Sequence, residues 1–234
     1  MAEEEERVRF GIEGLDEMLH GGILPGTICA IVGTYGTGKT TFAFQFMKEG
    51  IEKGESCVYI SLEEREDDLI KTFSQRNWNF TEYLNKKLFV INLDPTDFNL
   101  SLHSMKNELP ALIKKTEATR VVIDPVSHFE GLFEDTSVRR TEMYKFIHLM
   151  GDLNCTLLVT SETDMHNPYS SRYNLVEYLS DTVILLRYVR PDDFSEIHLA
   201  VEVVKMRRSS HSRDIKPYEI TNDTIDVFSE ASVF

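Results

Sequence analysis

Nowhere in the 234 residues does an apolar run approach the roughly 18 that a membrane-spanning helix needs. The first residues, Met1 to Arg7, are acidic, where a secretory signal would open with positive charge and then an apolar run. Positive charge is scarce throughout. Twenty-five Lys and Arg stand against 39 Asp and Glu, a formal net charge of −14. That balance repels nucleic-acid phosphates and membrane surfaces globally, although it leaves room for a local basic patch. Cysteine is scarce too: Cys29, Cys57 and Cys155 cannot all pair, and their spacing fits no zinc pattern. Each falls in a short apolar run, which reads as a buried structural thiol. No internal repeat, low-complexity tract or long Pro/Gly/Ser linker interrupts the chain. The expectation is a soluble, cytoplasmic protein with no membrane partner.

What remains is ordinary globular material, 41% hydrophobic and 27% charged. A chain of this length hides roughly 70–75% of its unfolded surface, enough for a core without staples. Residues 1–9 read as an acidic start that frays, and residues 10–234 as one domain. Strand-like runs at 27–32, 56–61, 88–92, 120–124 and 155–161 alternate with helical spacing at 39–52, 65–76, 102–115 and 138–149. Within the third of these helices Pro110 marks a kink or break. Strands alternating with helices imply parallel β-α-β units, whose strands, buried on both faces, read as unbroken apolar runs. After residue 181 the pattern changes to strand after strand: 181–188, 196–206, then a hairpin of 216–220 and 224–228 across Asn222-Asp223. The fold class is therefore α/β, a mostly parallel central sheet with an antiparallel, β-rich C-terminal extension.

One motif decides the chemistry. Gly33, Thr34, Tyr35, Gly36, Thr37, Gly38, Lys39 and Thr40 satisfy G-x-x-x-x-G-K-[ST], with Thr41 following, a strand before and a helix after. The glycines let the backbone curl so that successive N–H groups face a phosphate, and the helix adds its positive N-terminal end. Lys39 would reach the β- and γ-phosphate oxygens, and the Thr40 hydroxyl would ligate Mg²⁺. The ligands implied are ATP, or a close relative, and magnesium.

Three weaker elements gain meaning beside it. The strand 120–124 ends in Asp124, placed to act on the magnesium side, or else as a helix cap or turn residue. Glu63 and Glu64 follow the second strand, on the edge where α/β sheets bind ligands. A hydrolytic site needs a group that orients or deprotonates water. The same acids also read as a solvated helix start, because Glu66, Asp67 and Asp68 follow and acids favour helix N-termini. Lys205-Met206-Arg207-Arg208 and the run to Ser212 make a basic patch in an acidic protein. It is either a solvated loop or a source of cations for charge developing in phosphoryl transfer.

In this order and spacing, these elements resemble the RecA superfamily and specifically the KaiC-like ATPases. The resemblance runs from Phe10-Gly11-Ile12-Glu13-Gly14-Leu15-Asp16 and Gly21-Gly22-Ile23 through the P-loop, Phe44-Gln45-Phe46, Ser61–Glu64, Trp78 and Asp124. It continues through Thr160-Ser161-Glu162 and Glu177–Asp181, and closes at Lys205–Ser212. It implies a RecA-like core that binds and hydrolyses ATP with magnesium. Glu63 and Glu64 match the family's paired catalytic glutamates. Lys205 and Arg207 match a K-x-R that reaches the nucleotide of a neighbouring subunit. Ser209 and His211 belong to the same cross-interface loop, and Thr221 and Asn222 lie where the family completes that wall. The nucleotide would sit between protomers, by family habit in a hexameric ring.

There are departures from the pattern. Some members carry two such domains in tandem and this chain has one, so their output is not carried over. Arg208 replaces the glycine of K-x-R-G, which puts the loop's conformation in question. Asn222 stands where an acid is usual, and nothing marks Ser170 or Ser171 as phosphorylated. The leading expectation is a homo-oligomeric regulatory or signalling ATPase with an unidentified protein partner. Two alternatives stand beside it: a RadA/RecA-type recombination accessory, disfavoured by the charge, and an ATP-gated scaffold with negligible turnover. His20, His103, His128, His148, His166 and His198 show no metal-ligand spacing. Phe129, Phe133, Tyr144 and Phe146 read as core or subunit contact.

Overall fold

The computed structural model describes residues 6–74, 78, 80–93, 102–190 and 197–231. Nine strands form one sheet: β1 (Ile28–Gly33), β2 (Cys57–Ser61), β3 (Leu88–Asn92), β4 (Arg120–Asp124), β5 (Thr156–Glu162), β6 (Thr182–Val189), β7 (His198–Met206), β8 (Ile215–Ile220) and β9 (Ile225–Val227). Their spatial order is β3-β2-β4-β5-β1-β6-β7-β8-β9. The first six are parallel neighbours, and β7, β8 and β9 add antiparallel. The switch from parallel to antiparallel falls where helical spacing stops in the sequence. Once a crossover helix is absent, only an antiparallel return is short enough.

The helices are α1 (Glu13–Met18), α2 (Lys39–Glu52), α3 (Glu66–Ser74), α4 (Leu109–Thr116), α5 (Val126–Gly131), α6 (Thr136–Gly151) and α7 (Val176–Leu179). They cover both faces of the sheet. In β1, Cys29 and Ile31 join one apolar core with Phe42 and Phe46 of α2, whereas Ile28, Ala30 and Val32 join a second core with Phe129 of α5 and Phe146 of α6. Alternation between two buried faces explains the unbroken apolar runs. Fully burying one such side chain contributes about 1.5–3 kcal/mol, against about 0–1 for an exposed ion pair. The two faces, not the surface charges, hold the sheet. Cys29, Cys57 and Cys155 are buried and unpaired, and burial pushes all three thiols up, Cys57 to about 12 and Cys155 to about 11.

Several local details were not visible from spacing. Pro110 does not break its helix; it follows a π-helical stretch over Ser104–Glu108 and sits in the first turn of α4. A widened turn removes the clash between a proline ring and the carbonyl of the preceding turn. α6 starts at Thr136, earlier than the apolar spacing suggested, because Asp135 caps it by accepting from the N–H groups of Ser137 and Val138. α3 ends at Ser74; the expected continuation to Arg76 lies outside the described residues, as do residues 1–5 of the acidic start. Val8 exchanges both backbone hydrogen bonds with Ile23, at 2.8 and 3.0 Å. Arg120 opens β4 as a buried cation. It makes two bonds to the Glu55 carboxylate, donates to the carbonyls of Arg9 and Phe46, and lies 4.6 Å from the centre of the Phe46 ring.

No helix among the described residues is long and apolar enough to cross a membrane.

Candidate functional site

The strand register assembles the site. Gly33 of β1 stands opposite Glu162 of β5, Ile123 of β4 opposite Val159, and Ser61 of β2 opposite Asp124. Four strands that are neighbours in the sheet therefore end at one height, and the loops leaving them face a common cleft of about 300 Å³. On one side of it lie Gly36, Gly38, Lys39 and Thr40; on the other lie Glu63, Glu64, Asp124 and Glu162.

The glycine loop has the curl expected of it. Gly36 and Gly38 sit at φ +73° and +83°, in the left-handed region where a side chain is strained. A side chain there would also have to displace a neighbour. A Cβ on Gly36 would stand 2.5 Å from the Tyr188 hydroxyl, and one on Gly38 would stand 2.2 Å from Cδ1 of Ile220. Thr37 is wholly buried; its hydroxyl donates to the Thr34 carbonyl at 2.7 Å, and its carbonyl accepts from Tyr218 at 2.5 Å. Strands β6 and β8 thus hold the loop from behind. Lys39 begins α2 and donates Nζ to the Thr34 carbonyl at 3.0 Å. Burial pushes its ammonium down, while Asp124, Glu162 and Glu63 push it back up. Thr40 lines the cleft, Thr41 is buried behind it, and Tyr35 stands exposed at the loop's tip.

Asp124 is held rather than free. Tyr59 of β2 donates to its Oδ2 at 2.5 Å, and the Thr160 hydroxyl of β5 donates to its Oδ1. The helix-cap alternative does not describe it, since α5 begins at Val126 with no side-chain cap. Glu63 and Glu64 lie in a turn before α3, whose first turn is Glu66, Asp67 and Asp68. The Ser61 hydroxyl donates to the Glu64 carbonyl at 2.6 Å and accepts from its N–H at 2.9 Å, and Asn92 donates to the same carbonyl at 2.7 Å. The pair is therefore a pinned turn at the cleft and not the helix start. Burial, then the charges of Asp124, Glu63 and Asp68, raise the Glu64 carboxyl above the ordinary glutamate range.

These residues fit a magnesium–phosphate group. Among the described residues no three His, Cys, Asp or Glu converge to hold a metal alone. One threonine and one carboxylate facing an anion cradle suit magnesium, which takes the rest of its shell from phosphate and water.

The basic patch lies elsewhere. Lys205 pairs with Val183 and Gly33 with Leu186, and the Arg207 N–H donates to Asp181, so the patch sits at the sheet edge opposite the P-loop. Lys205 donates to the carbonyls of Glu177 and Ser180 at 2.7 and 2.6 Å, and Arg207 to that of Tyr178 at 2.7 Å. Ser209 accepts from Arg7 at 3.0 Å, and His211 Nδ1 lies 2.7 Å from the Ser212 carbonyl. Arg208 takes φ +62°, the conformation a glycine would occupy without strain. Thr221 and Asn222, expected with that loop, follow Ile220 instead and so lie at the P-loop's own edge. The sheet separates two groups that the sequence reading had joined.

Sequence reasoning gave no supporting role to Tyr59 and Thr160 around Asp124, to Ser61 and Asn92 around the glutamates, or to Tyr188, Tyr218 and Ile220 behind the loop, although the resemblance took in Ser61 and Thr160. Only strand order brings them in, so no spacing in the chain marked them. Glu162, which pairs with Arg172 at 2.7 Å, was quoted only as part of a resemblance.

Comparison with known proteins agrees with this geometry. The family described as ATPase: KaiC matches residues 8–232. The circadian clock oscillator protein KaiC of Parathermosynechococcus lividus is 31% identical over 227 residues, covering 93% of this chain and 41% of that protein. Its namesake in Synechococcus elongatus is 31% identical over 232 residues, covering 95% and 44%. The chain thus spans less than half the length of these curated relatives. A crystal structure of a KaiC-like protein from the hyperthermophilic archaeon Pyrococcus horikoshii OT3 superposes with a TM-score of 0.83 at 30% identity, covering 95% of this chain and 99% of that one. With fold, phosphate cradle and sequence in agreement over nearly its whole length, the chain is an ATP-binding, RecA-like module and belongs to the KaiC family of ATPases.

Proposed function

We propose that this chain hydrolyses ATP with magnesium in sites shared between copies of itself, as a homo-oligomeric regulatory ATPase. The observation that carries the reading is the separation of its cations. Lys39 follows the C-terminal end of β1, whereas Lys205 is level with Ala30 and Arg207 with Ile28, in its N-terminal half. The six residues of β1 span roughly 17 Å at about 3.3 Å each. One chain cannot bring both ends to the same phosphate. A neighbour in a closed ring can, because head-to-tail contacts set one edge of each copy against the other edge of the next.

In that arrangement the N–H groups of the glycine loop and the start of α2 receive the phosphates, and Lys39 neutralises them. Thr40 and Asp124 would hold magnesium, which would supply positive charge to offset what develops on the phosphate. Glu64, with Glu63 beside it, aligns the attacking water and accepts its proton as oxygen bonds to the γ-phosphorus and ADP departs. Lys205 and Arg207 of the neighbouring copy neutralise the transferring group. The hexamer, the protein partner and the cytoplasmic setting belong to this reading and are supported by the family likeness alone.

A mixing experiment tests the shared site. Lys39→Ala and Arg207→Ala should each lose turnover, the second while still binding ATP. Co-assembled, they should regain a fraction of it, because half of the mixed interfaces pair an intact P-loop with an intact Arg207. Native mass should rise with ATP–Mg²⁺. A mixture as dead as its parts, or full turnover in Arg207→Ala alone, would remove the proposal. Binding with no phosphate release from the wild type would make the chain a scaffold.

A further inference from the structure

We propose that Glu130 is a buried proton switch that sets how tightly α7 holds Lys205 and Arg207. The inference rests on the shared-site reading above for its consequence, and on separate observations for its existence. Glu130 is fully buried in α5, and among the described residues neither carboxyl oxygen has a hydrogen-bond partner. The Ser127 hydroxyl, one turn earlier, is likewise buried without a partner. Buried polar atoms in folded proteins are almost always satisfied, so an orphaned carboxyl calls for an explanation.

Among the described residues no cation forms an ion pair with it. From α7, Glu177 faces it as a second carboxylate, bound to the N–H and hydroxyl of Ser171. From α6 comes Arg139, but its guanidinium is committed to the carbonyls of Glu130 and Phe133, at 2.9 and 2.5 Å. It also lies 4.0 Å from the centre of the Tyr173 ring. The Tyr173 hydroxyl closes against Gly131, 3.1 Å from where a Cβ would stand. Burial first, then Glu177, push the Glu130 carboxyl up to about 8, with Arg139 offsetting less. Near neutral pH the group is a neutral acid in a buried site.

Losing that proton leaves an unpaired anion beside another carboxylate, which a low-dielectric interior penalises heavily. One of the packed elements must give way. α5 is fixed by the Phe129 ring against Phe133 and Phe146, 5.6 and 5.4 Å between centres, and follows directly from Asp124. α7 is only four residues long, a single turn whose helical bonds run from Leu179 to Leu175 and from Ser180 to Val176. It is the weaker partner, and it carries Glu177. The carbonyls of Glu177, Tyr178 and Ser180 are the acceptors that engage Lys205 and Arg207. A cation held there cannot also reach a neighbour's phosphate. Ionising Glu130 therefore loosens α7 and frees both cations. The folded-state value is raised, so the tight form is present below the unfolded glutamate range and is lost as pH rises through about 8.

Hydrogen exchange of residues 175–181 tests this, comparing wild type with Glu130→Gln at matched pH so that intrinsic exchange cancels. The ratio of the wild-type to the Glu130→Gln rate should grow at least threefold from pH 6.5 to pH 9. An unchanged ratio overturns the proposal. If Glu130→Gln does not fold, Glu177→Gln gives the second arm. Removing the neighbouring charge should move the exchange midpoint of the wild-type protein to lower pH, and an unmoved midpoint also overturns it. Turnover of the ATP-loaded assembly, wild type relative to Glu130→Gln, should rise severalfold across the same pH interval. If α7 loosens on schedule while Arg207→Ala keeps full turnover, the proton switch stands and the shared-site reading falls.

Discussion

Tyr59 and Asp124, on neighbouring strands and 65 residues apart, share a hydrogen bond of 2.5 Å within the core. Burial, then the Asp124 charge, raise the phenol well above its ordinary value, so it stays a donor at any working pH. Thr160 donates to the other oxygen. The carboxylate that the proposed mechanism needs beside magnesium is thereby aimed before any ligand arrives.

Tyr59→Phe keeps the packing against Phe44, whose ring centre lies 4.5 Å away, and removes only this donor. A hydrogen bond to a charged acceptor is worth about 1.5–3 kcal/mol. The variant should lose about that much stability, read as a lower denaturation midpoint with unchanged slope. It should also bind Mg²⁺–ATP less tightly. An unchanged midpoint would mean that the bond contributes nothing net.

Lys39→Ala should abolish ATP binding while leaving the fold intact. Its ammonium is the cation at the cradle, and its one bond among the described residues is to the Thr34 carbonyl. Calorimetric titration with ATP checks this; wild-type affinity would remove the phosphate assignment.

Arg208→Gly should stabilise the chain. A left-handed conformation costs an ordinary residue about 1–2 kcal/mol, and glycine returns roughly 0.5–1 of that through unfolded-state entropy. A net gain of about 0.5–1 kcal/mol is expected, because among the described residues the Arg208 guanidinium has only a 4.0 Å approach to Asp181 to lose. A lower melting temperature in the glycine variant would contradict it.

The acid side of the turnover profile should lie above the ordinary glutamate range, because Glu64 is raised in the folded protein. A base with a raised value is active once deprotonated, so turnover falls as pH drops through that raised value. Glu64→Gln should lose turnover at every pH while retaining ATP. A profile that is flat down to pH 5 would assign the proton to another group.

The order of elements, the parallel core, the antiparallel flank and the glycine loop were legible because each is local. Apolar runs of strand length, helical spacing and a G-x-x-x-x-G-K-T segment report on residues near one another in the chain. Asp124 was legible only as a possibility, since many strands end in an acid. The contacts by which Tyr59, Thr160, Tyr218 and Ile220 support the site were not legible from spacing. They depend on which strands are neighbours, and β1 pairs with β5 and β6, from more than 120 residues away.

By itself the sequence determined the phosphate cradle, because backbone conformation there follows from glycine at two positions. Only tertiary structure decided what that cradle faces and what it cannot reach. It joined Glu64, Asp124 and Lys39 across four strand ends, and it set Lys205 and Arg207 on the far edge, apart from Thr221 and Asn222. Sheet register is a sum of many long-range pairings, and no short segment carries it.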